Sequence, residues 1–456
     1  MQPIVTPAEM RSVDAAAPCP VEVLVQRAGS AVARAALRMM GGTYGRTVVV
    51  IAGRGNNGAD GRAAAALLRD RGVRVLLVDA AQPPTELPPA DLVIDAAYGT
   101  GFRGSWTAPR TSSPVLAVDI PSGVDALTGV VVGTVLRATR TVTFQAWKPG
   151  LLTPPGRQYA GTVEVADIGL GDGVEAAVRA HRVEGSDVAS WLSLRPADAH
   201  KWRAAVRVVA GSTGMTGAAA LTSAAAMRAG AGMVHLSGLG TLVPNAPVET
   251  VQRPVSGEWA SSVIDSLHRF HSLAVGPGCG RDDATALQVR ALVAGAPVPV
   301  VIDGDGLFAM AWGGDDALSV LRGRTLPTVL TPHDGEFALL TGTSPGADRL
   351  DAARRLAAST SCTVLLKGPC TVIAEPQGRV LVVPDGDERL ATAGTGDVLT
   401  GVIATMLARG LDGPHAAAAA AHLVASAASR CGRNGTIASD VVARLPEGLD
   451  ALDDLR

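Results

Sequence analysis

The fold of this chain is decided by the sequence Ala391-Thr392-Ala393-Gly394-Thr395-Gly396-Asp397, a glycine-rich turn that ends in a carboxylate and runs into the apolar stretch 398–404. Glycines let the backbone approach a phosphate closely, and the first turn of the following helix directs unpaired N–H groups at the anion. Asp397 would then lie beside the group that carries the anion. The pattern predicts a phosphoryl-transfer site, although one such turn alone is more often only the start of a helix.

The length and composition of the chain limit its class. It has 456 residues, more than one hydrophobic core usually serves, so we expect two or three domains. Hydrophobic residues make up 47%, glycines number 53 and aromatic residues make up only 3%, which is typical of alanine- and valine-rich α/β layers. Forty basic and 42 acidic side chains give a formal net charge of −2, so we expect no nucleic-acid partner and no membrane partner.

The cysteines and the N-terminal sequence predict a location. The five cysteines are scattered, odd in number and without CxxC spacing, which indicates free thiols in a reducing compartment. The first ten residues have no basic start followed by an apolar core, and no run of about eighteen apolar residues occurs in the sequence. We therefore expect a cytoplasmic protein, and the alanine run 416–421 predicts a buried helix and not a membrane span.

Apolar strands alternate with helical patterns in two blocks. The first block has predicted strands at residues 47–52, 73–78, 92–95 and 115–119 and a predicted helix at 62–71. Short apolar strands separated by helices indicate right-handed βαβ units and a parallel sheet, which is a Rossmann-like α/β arrangement. The polar region between residues 169 and 199 predicts a domain boundary. The second block restarts with a strand at 206–211, and we assign the two domains to residues 1–185 and 196–456.

Three loops of the first block follow strands whose carboxyl ends meet in a doubly wound sheet. Together they carry Asn56, Asn57 and Asp60, then Asp95 and the glycine-rich segment 99–104, then Asp119 and Ser122. Amides, a hydroxyl and carboxylates in one place suit a monovalent cation and a polar, phosphate-bearing ligand. Each loop alone would more often be a plain turn, but three polar loops at one edge favour a binding site.

The first block also resembles a known family. The segments Gly53-Arg54-Gly55-Asn56-Asn57-Gly58-Ala59-Asp60-Gly61, 94–102 and 118–125 look like the NAD(P)H-hydrate epimerase domain, also called the YjeF N-terminal domain. The family usually has glycine where this chain has Ala59. The resemblance implies that Asn57, Asp95 and Ser122 hold a potassium ion. It implies a hydrated-dinucleotide site formed by Asn56, Asn57, Gly58, Ala59, Asp60, Gly99, Thr100, Gly101, Phe102, Arg103, Gly104, Ser105 and Asp119.

The second block resembles the ADP-dependent NAD(P)H-hydrate dehydratases, which have a ribokinase-like α/β fold. The matching segments are 214–219, 276–280, 330–336, 365–371 and 391–397. The order of the two blocks is similar to that of the bifunctional nicotinamide nucleotide repair enzymes. The resemblance implies Mg²⁺ and ADP as cofactors, with nucleotide contacts from Lys367, Gly368, Pro369, Cys370, Thr371 and Gly396. It implies contacts with the hydrated substrate from Ala219, Gly280, His333 and Asp397.

The second block departs from its family's pattern in two places. The family commonly reads Asp-Ala-Asp-Ala-Leu-Asn where this chain has Asp303-Gly304-Asp305-Gly306-Leu307-Phe308, and residues 387–390 replace the usual asparagine-glycine and methionine.

The residues of the second block suit a definite chemistry. A hydroxyl is a poor leaving group, so a site that first phosphorylates it converts loss of water into loss of phosphate. Asp397 would accept the hydroxyl proton, the N–H groups of 394–396 would hold the moving phosphoryl group, and magnesium would neutralise nucleotide charge. The sequence has no GxxxxGK[ST] motif, so the site is not a P-loop. Lys367 and His333 would otherwise be a solvated lysine and a plain histidine.

Asp119 is the candidate acid/base of the first block. A carboxylate at the carboxyl end of a strand, partly desolvated by the ligand, can have its pKa moved toward neutrality. The alternative is that Asp119 only caps the turn at 121–123. The residues alone favour neither interpretation, and the family resemblance favours catalysis.

The resemblance implies that the first domain interconverts R and S hydrates of NADH and NADPH. The second domain would dehydrate the S form with ADP, giving AMP and phosphate, in a homo-oligomer whose partners are small molecules. Two alternatives stay open. The second domain could be a kinase for a small alcohol, because ribokinase-like folds share the GxGD turn, and the first domain could be a non-catalytic binding module.

Overall fold

The structure is a computed structural model that describes residues 1–171, 173–313 and 315–456. The chain forms two compact units, Gln2–Arg182 and Val183–Arg456, and Met1 is grouped with the second unit. The limits 1–185 and 196–456, which the sequence gives for two domains, stay predictions. Within the described ranges, no helix is long and apolar enough to cross a membrane.

The first unit is built mainly from short strands and three longer helices. Its helices are α1 (Pro7–Ala15), α2 (Val21–Met40), α3 (Asn56–Arg69), α4 (Pro149–Leu152), α5 (Gly156–Ala160) and α6 (Gly173–Ala177). Its strands are β1 (Gln2–Ile4), β2 (Thr47–Ala52), β3 (Arg74–Asp79), β4 (Leu92–Ala96), β5 (Trp106–Thr107), β6 (Val115–Val118), β7 (Gly133–Thr134), β8 (Arg140–Phe144), β9 (Thr162–Ala166) and β10 (Ala180–Arg182).

A parallel sheet of six strands in the order β3-β2-β4-β6-β8-β9 forms the centre of this unit. Its apolar side chains face two separate cores, one beneath α2 and α3 and one on the opposite face around Trp106. This is the Rossmann-like sheet that the strand pattern predicts. The predicted helix start at residue 62 is wrong, because α3 begins at Asn56 directly after its N-cap residue Gly55.

The second unit alternates strands and helices over most of its length. Its helices are α7 (Gly185–Trp191), α8 (Thr216–Arg228), α9 (Ala260–Ser266), α10 (Asp283–Gly295), α11 (Asp305–Ala311), α12 (Asp315–Arg322), α13 (Asp334–Thr341), α14 (Arg349–Thr360), α15 (Thr395–Ala408), α16 (Gly413–Ser429) and α17 (Ala438–Asp453). Its strands are β11 (Ala205–Ser212), β12 (Met233–Leu239), β13 (Val251–Gln252), β14 (Ser272–Val275), β15 (Val300–Ile302), β16 (Thr328–Leu330), β17 (Thr363–Leu366), β18 (Thr371–Ala374) and β19 (Val380–Val383).

These strands join in the order β19-β18-β17-β16-β15-β14-β11-β12-β13. Seven neighbouring strands pair in parallel, in the order β17-β16-β15-β14-β11-β12-β13. Strand β18 pairs antiparallel with both β17 and β19. Helices α8, α15, α16 and α17 contribute to one core on the sheet. The alanine run 416–421 lies buried in α16, so that prediction is confirmed.

Helices α8 and α15 pack so closely that a glycine is required between them. A Cβ atom at Gly401 of α15 would overlap the carbonyl oxygen of Thr222 and lie 3.0 Å from the Cβ atom of Ala225, both in α8. Both helices begin at the carboxyl edge of the sheet, where the candidate site of this unit lies, so their close packing fixes its geometry.

We expect Gly401→Ala to lower the stability of the second unit by about 1–3 kcal/mol, because the added methyl group forces the two helices apart. The matched control is Gly217→Ala in α8, where a Cβ atom meets no other atom within 4 Å. That variant should be unchanged or slightly more stable, since alanine is the better helix former. Scanning calorimetry measures both, and equal midpoints for the two variants would contradict the packing argument.

Candidate functional site

A cavity of about 650 Å³ opens at the carboxyl edge of the first unit's sheet. It lies where the loops after β2, β4, β6 and β8 meet helices α1 and α2. Nine of the residues predicted from the sequence line it: Asn56, Asn57, Asp60, Gly99, Thr100, Gly101, Phe102, Arg103 and Asp119. Four others, Gly58, Ala59, Gly104 and Ser105, lie outside its described lining.

Two glycines bring the loops of this cavity together. A Cβ atom at Gly58 would overlap the carbonyl oxygen of Gly53, so the loop after β2 folds directly against the first turn of α3. A Cβ atom at Gly99 would lie 3.0 Å from Oδ2 of Asp119 and 3.1 Å from Oδ1 of Asn57. Glycine is therefore needed at both positions for the backbone to approach this closely, and three separate loops converge on one small region.

Asp119 follows β6 in the left-handed backbone region, with φ of 66°. Its Oδ1 atom lies 2.9 Å from Nζ of Lys148, whose side chain is only 1% exposed. Its Oδ2 atom accepts hydrogen bonds from the main-chain N–H of Thr100 at 2.9 Å and from the Thr100 hydroxyl at 2.5 Å. The carboxylate is thus held by the loops after β4 and β8, and the alternative that it caps the turn at 121–123 is wrong.

The pKa of Asp119 corrects the sequence-based expectation. Burial alone would raise it, but the Lys148 ammonium and the hydrogen bonds from Thr100 outweigh burial and hold the pKa below its ordinary value. The neighbouring Asp60 behaves in the opposite way. Burial, together with the charges of Asp119 and Asp14, raises the pKa of Asp60 to about 8. At neutral pH the cavity therefore holds an ionised and a protonated carboxyl group.

Lys148 and Asp14 are cavity residues that the sequence analysis missed. Lys148 follows the strand β8, whose carboxyl end lies at the same edge of the sheet as the three strand ends that were considered. A polar residue after this fourth strand was the signal available. Asp14 comes from α1, before the first strand of the sheet, and no local pattern connects it with the site.

The three residues predicted to hold potassium lie under and beside the cavity. Asp95 and Ser122 are both fully buried, and Ser122 donates its hydroxyl to Oδ1 of Asp95 at 2.6 Å and its N–H to Oδ2 at 2.9 Å. Burial raises the pKa of Asp95, and no basic side chain of the described residues pairs with it. Both polar side-chain atoms of Asn57 are buried without a hydrogen-bond partner. An unpartnered amide oxygen and a buried carboxylate without a counter-charge fit a monovalent cation.

In the second unit, the glycine-rich turn has the predicted form. Gly394 is the N-cap of α15 in the left-handed region, with φ of 91°, and Asp397 lies in the first helical turn. Burial and the nearby Asp303 carboxylate raise the pKa of Asp397 to about 7, against the lowering effect of Lys367. A carboxyl group whose pKa is raised toward neutrality suits a general base.

A buried ion pair lies next to this turn. Nζ of Lys367 is 2.7 Å from Oδ1 of Asp303 and 3.5 Å from Oε2 of Glu336. Asp303 also accepts hydrogen bonds from the hydroxyls of Thr331 at 2.7 Å and Thr400 at 2.8 Å. Burial would raise the pKa of Asp303, but Lys367 holds it below its ordinary value. Since a Cβ atom at Gly396 would lie 3.4 Å from Nζ of Lys367, the pair is in contact with the turn.

Asp305 organises the loop after β14. Its Oδ2 atom accepts the main-chain N–H of Gly280 at 2.9 Å, and its Oδ1 atom accepts Nε–H of Arg281 at 2.7 Å. The guanidinium of Arg281 also lies over the ring of Phe308, 5.4 Å from its centroid. The predicted substrate residue Gly280 is therefore fixed through its backbone by a carboxylate of the same site.

The structure gives six of the predicted contact residues definite local positions. His333 is the N-cap of α13, where its Nδ1 atom accepts the N–H groups of Gly335 and Glu336. Ala219 is fully buried in α8. Cys370 is buried, so only its main chain could touch a nucleotide, whereas Gly368 and Pro369 are exposed, and Thr371 begins β18. Their roles as ligand contacts stay predictions.

Magnesium fits this site only together with a nucleotide. Among the described residues, no three histidine, cysteine or carboxylate side chains are grouped to hold a metal ion. Mg²⁺ usually keeps several waters and is bound by one or two carboxylates plus the phosphates of a nucleotide. Asp303, Asp305, Glu336 and Asp397 are carboxylates near the glycine-rich turn, and one or two of them together with nucleotide phosphates would suit that arrangement.

Comparison with known proteins assigns the chain to a family. Residues 206–446 match the family model described as NAD(P)H-hydrate dehydratase, and residues 21–87 and 77–150 match the one described as YjeF-related protein N-terminus. The bifunctional NAD(P)H-hydrate repair enzyme Nnr of Moorella thermoacetica is 35% identical over 99% of this chain and 97% of the relative. The chain belongs to the family of bifunctional NAD(P)H-hydrate repair enzymes. The family predicted from the sequence is thus confirmed.

Further relatives agree with this family. The enzyme of the same name from Mycobacterium tuberculosis is 37% identical over 83% of this chain and 82% of the relative. A solved ADP/ATP-dependent NAD(P)H-hydrate dehydratase from Bacillus subtilis, co-crystallised with ATP and Mg²⁺, is 28% identical. It has a TM-score of 0.50 and covers 59% of this chain and 97% of its own. The predicted ribokinase-like fold of the second unit is confirmed.

We expect Lys148→Met to destabilise the first unit by about 3–5 kcal/mol at neutral pH, because Asp119 is left buried without its counter-charge. The double variant Asp119→Asn/Lys148→Met should lose less stability than the sum of its two single variants, since it removes both charges. Denaturant unfolding measures these free energies. Arg74→Met, which removes an exposed cation of the same unit, is the control and should change stability by less than about 0.5 kcal/mol. Additive losses would contradict the coupling of Lys148 with Asp119.

Proposed function

We propose that this chain repairs hydrated nicotinamide nucleotides in two steps. The second unit dehydrates the S form of NADH or NADPH hydrate with ADP, and AMP and phosphate leave. The first unit interconverts the R and S forms. The observation that carries this proposal is Asp397, a carboxyl group with a pKa of about 7 in the first turn of a helix that begins with a glycine-rich loop. Membership of the repair-enzyme family supports the choice of substrate.

The dehydration proceeds through a phosphorylated intermediate. Asp397 accepts the proton of the substrate hydroxyl while the oxygen attacks the β-phosphorus of ADP and AMP departs. Phosphate then leaves with the C–O bonding electrons, a proton is lost from the neighbouring ring carbon, and the C–H bonding electrons form the double bond of the reduced, unhydrated nicotinamide ring. The main-chain N–H groups at the start of α15 face the phosphoryl group in transfer. Magnesium bound with ADP would neutralise the phosphate charge.

The ion pair of Asp303 and Lys367 is a positioning device in this mechanism. Asp303 is held by Lys367, Thr331 and Thr400, so its negative charge has a fixed place beside the turn. Burial and then that charge raise the pKa of Asp397, and Lys367 limits the rise. Asp397 is consequently a stronger base than an ordinary aspartate.

The epimerisation needs a bond at the hydrated carbon to break and to form again on the opposite face. The described cavity offers two carboxyl groups in opposite protonation states for this exchange. Asp119, ionised and held by Lys148, is placed to accept a proton, and Asp60 carries a proton that it can donate. Asp119 is therefore the proton acceptor, as expected from the sequence, and Asp60 is the proton donor.

Potassium belongs to this proposal through Asn57, Asp95 and Ser122. A monovalent cation would offset the buried charge of Asp95 and give the amide oxygen of Asn57 its missing partner. It would thereby fix the first turn of α3, which carries Asn57, against the loop that carries Ser122. A cytoplasmic location and a homo-oligomeric state stay predictions, and light scattering of the purified chain checks the second.

The decisive experiment follows NADH absorbance while the purified chain, Mg²⁺, K⁺ and ADP act on a mixture of R and S NADH hydrates. We expect complete recovery of NADH. With Asp119→Asn, the recovery of NADH should stop when the S form is consumed, because epimerisation is lost. Asp397→Asn should lower the dehydration rate by at least about a hundredfold. A stable phosphorylated alcohol instead of NADH would show a kinase, and full epimerisation by Asp119→Asn would leave the first unit as a binding module.

The dehydration rate should depend on pH through Asp397. A general base works only when ionised, so kcat/KM should rise as the pH increases through about 7 and level off above it. Asp303→Asn removes a charge that raises the pKa of Asp397, so its profile should turn at a lower pH. Asp265→Asn, an exposed carboxylate of the same unit, is the control and should keep the wild-type profile. An unshifted profile for Asp303→Asn would contradict the coupling.

Potassium should stabilise the first unit. We expect KCl to raise its unfolding midpoint above that in choline chloride of equal ionic strength, because the ion offsets the buried charge of Asp95. Asp95→Asn should lose this difference, whereas Asp70→Asn, at an exposed site of the same unit, should keep it. Thermal scans measure the midpoints. If wild type shows the same midpoint in both salts, the potassium assignment is wrong.

A further inference from the structure

A second cavity of the Val183–Arg456 unit has no role in the reaction proposed above. Its volume is about 260 Å³. Ala204 and Gly232, which immediately precede β11 and β12, form part of its wall, so it lies at the amino edge of the sheet. Arg409, the C-cap of α15, is also in the wall. Because Asp397 is in the first turn of the same helix, this cavity is about 20 Å from the glycine-rich turn.

Basic side chains dominate the lining of this cavity. Four arginines, Arg195, Arg203, Arg409 and Arg456, line it, and its one acidic side chain, Asp453, pairs with Arg456 at 3.1 Å, so the lining keeps an excess of positive charge. An excess of guanidinium groups in a concave site raises the local concentration of anions. The charges of the side chains therefore favour a negatively charged ligand.

Two of the arginines are held in place by main-chain oxygens. Arg409 donates Nη2–H to the carbonyl of Ser193 at 2.8 Å, and Arg456 donates Nε–H to the carbonyl of Ala189 at 3.2 Å. Both acceptors lie at the C-terminal end of α7, so helix capping explains why these arginines are there. Burial and then the charge of Arg456 lower the pKa of Arg409, against the raising effect of Asp453.

Capping does not account for the other two arginines. The side chains of Arg195 and Arg203 are exposed at the mouth of the cavity, and neither has a hydrogen-bond or ion-pair partner in the described ranges. The guanidinium groups of Arg195 and Arg203 therefore have unused hydrogen-bond donors, whereas Arg409 and Arg456 are held by main-chain oxygens. Guanidinium groups match the geometry of phosphate oxygens through paired N–H donors.

The size and the remaining walls of the cavity restrict its ligand. A volume of about 260 Å³ is below the usual range for drug-sized ligands, so the ligand is compact. Leu192 and Leu452 give it an apolar side, which accommodates a short carbon skeleton. A phosphate ester of sugar size, or inorganic phosphate and pyrophosphate, has this size and charge.

We propose that the cavity between the C-terminal ends of α7 and α15 binds a compact phosphate-bearing anion through Arg195, Arg203, Arg409 and Arg456. The site is separate from the glycine-rich turn, and the inference does not depend on the repair reaction. Its ligand contacts the far end of the helix that carries Asp397.

Calorimetric titration of the full chain with inorganic pyrophosphate tests the proposal, and ribose 5-phosphate in a parallel titration distinguishes a free phosphate from a sugar ester. Saturating ADP in the calorimeter cell fills the proposed nucleotide site, so that the probe is titrated against the second cavity. We expect one of the two probes to bind with ADP present. Arg195→Gln/Arg203→Gln should weaken that binding at least about tenfold, because two charged donors are lost.

The control is Arg444→Gln, which removes an arginine of α17 outside this cavity and should leave the binding unchanged. Thermal scans without ligand check that each variant is folded. If the double variant is unfolded, the single variant Arg203→Gln replaces it in the titration. No binding of either probe to the ADP-saturated wild type overturns the proposal. Equal affinity of wild type and the Arg203 variants overturns it as well.

Discussion

A buried aspartate–lysine ion pair at the carboxyl edge of a parallel sheet organises each of the two candidate sites. In the first unit Asp119 and Lys148 are 2.9 Å apart, and in the second Asp303 and Lys367 are 2.7 Å apart. Burying two charges is expensive, and mutual attraction compensates only where the geometry is good and further hydrogen bonds are made. Threonine hydroxyls supply those bonds in both sites.

Each ion pair adds to the effect of burial on the pKa of a neighbouring carboxyl group. A carboxylate that stays ionised makes it harder for a second one nearby to lose its proton. Burial and this repulsion raise the pKa of Asp60 to about 8 and that of Asp397 to about 7. Two units of different fold thus arrive at one electrostatic arrangement. A fixed anion beside a group that exchanges protons near neutral pH is what proton-transfer chemistry requires.

The sequence predicts the loops of these sites better than their electrostatics. Strand ends followed by glycine and polar residues locate Asp119 and Asp397, because such signals are local. Lys148 contacts Asp119 from another strand end, and without it burial alone predicts a raised pKa for Asp119, the wrong direction. The start of α3 at Asn56 was missed for a related reason. Asparagines and glycines favour a loop locally, and packing of the glycines against Gly53 and Ala96 stabilises the helix.

The segment 303–308, where this chain departs from its family's common sequence, leaves the ion pair of the second unit intact. Gly304 has φ of 54° and ψ of −123°, a conformation that glycine adopts far more easily than alanine. A Cβ atom at Gly306 would lie 2.9 Å from the carbonyl oxygen of Val275 and 3.0 Å from Cα of Gly276, so this glycine permits a closer approach of two loops. Phe308 packs under Arg281, which Asp305 also binds. With glycine at 304 and 306 and phenylalanine at 308, Asp303 contacts Lys367, Thr331 and Thr400.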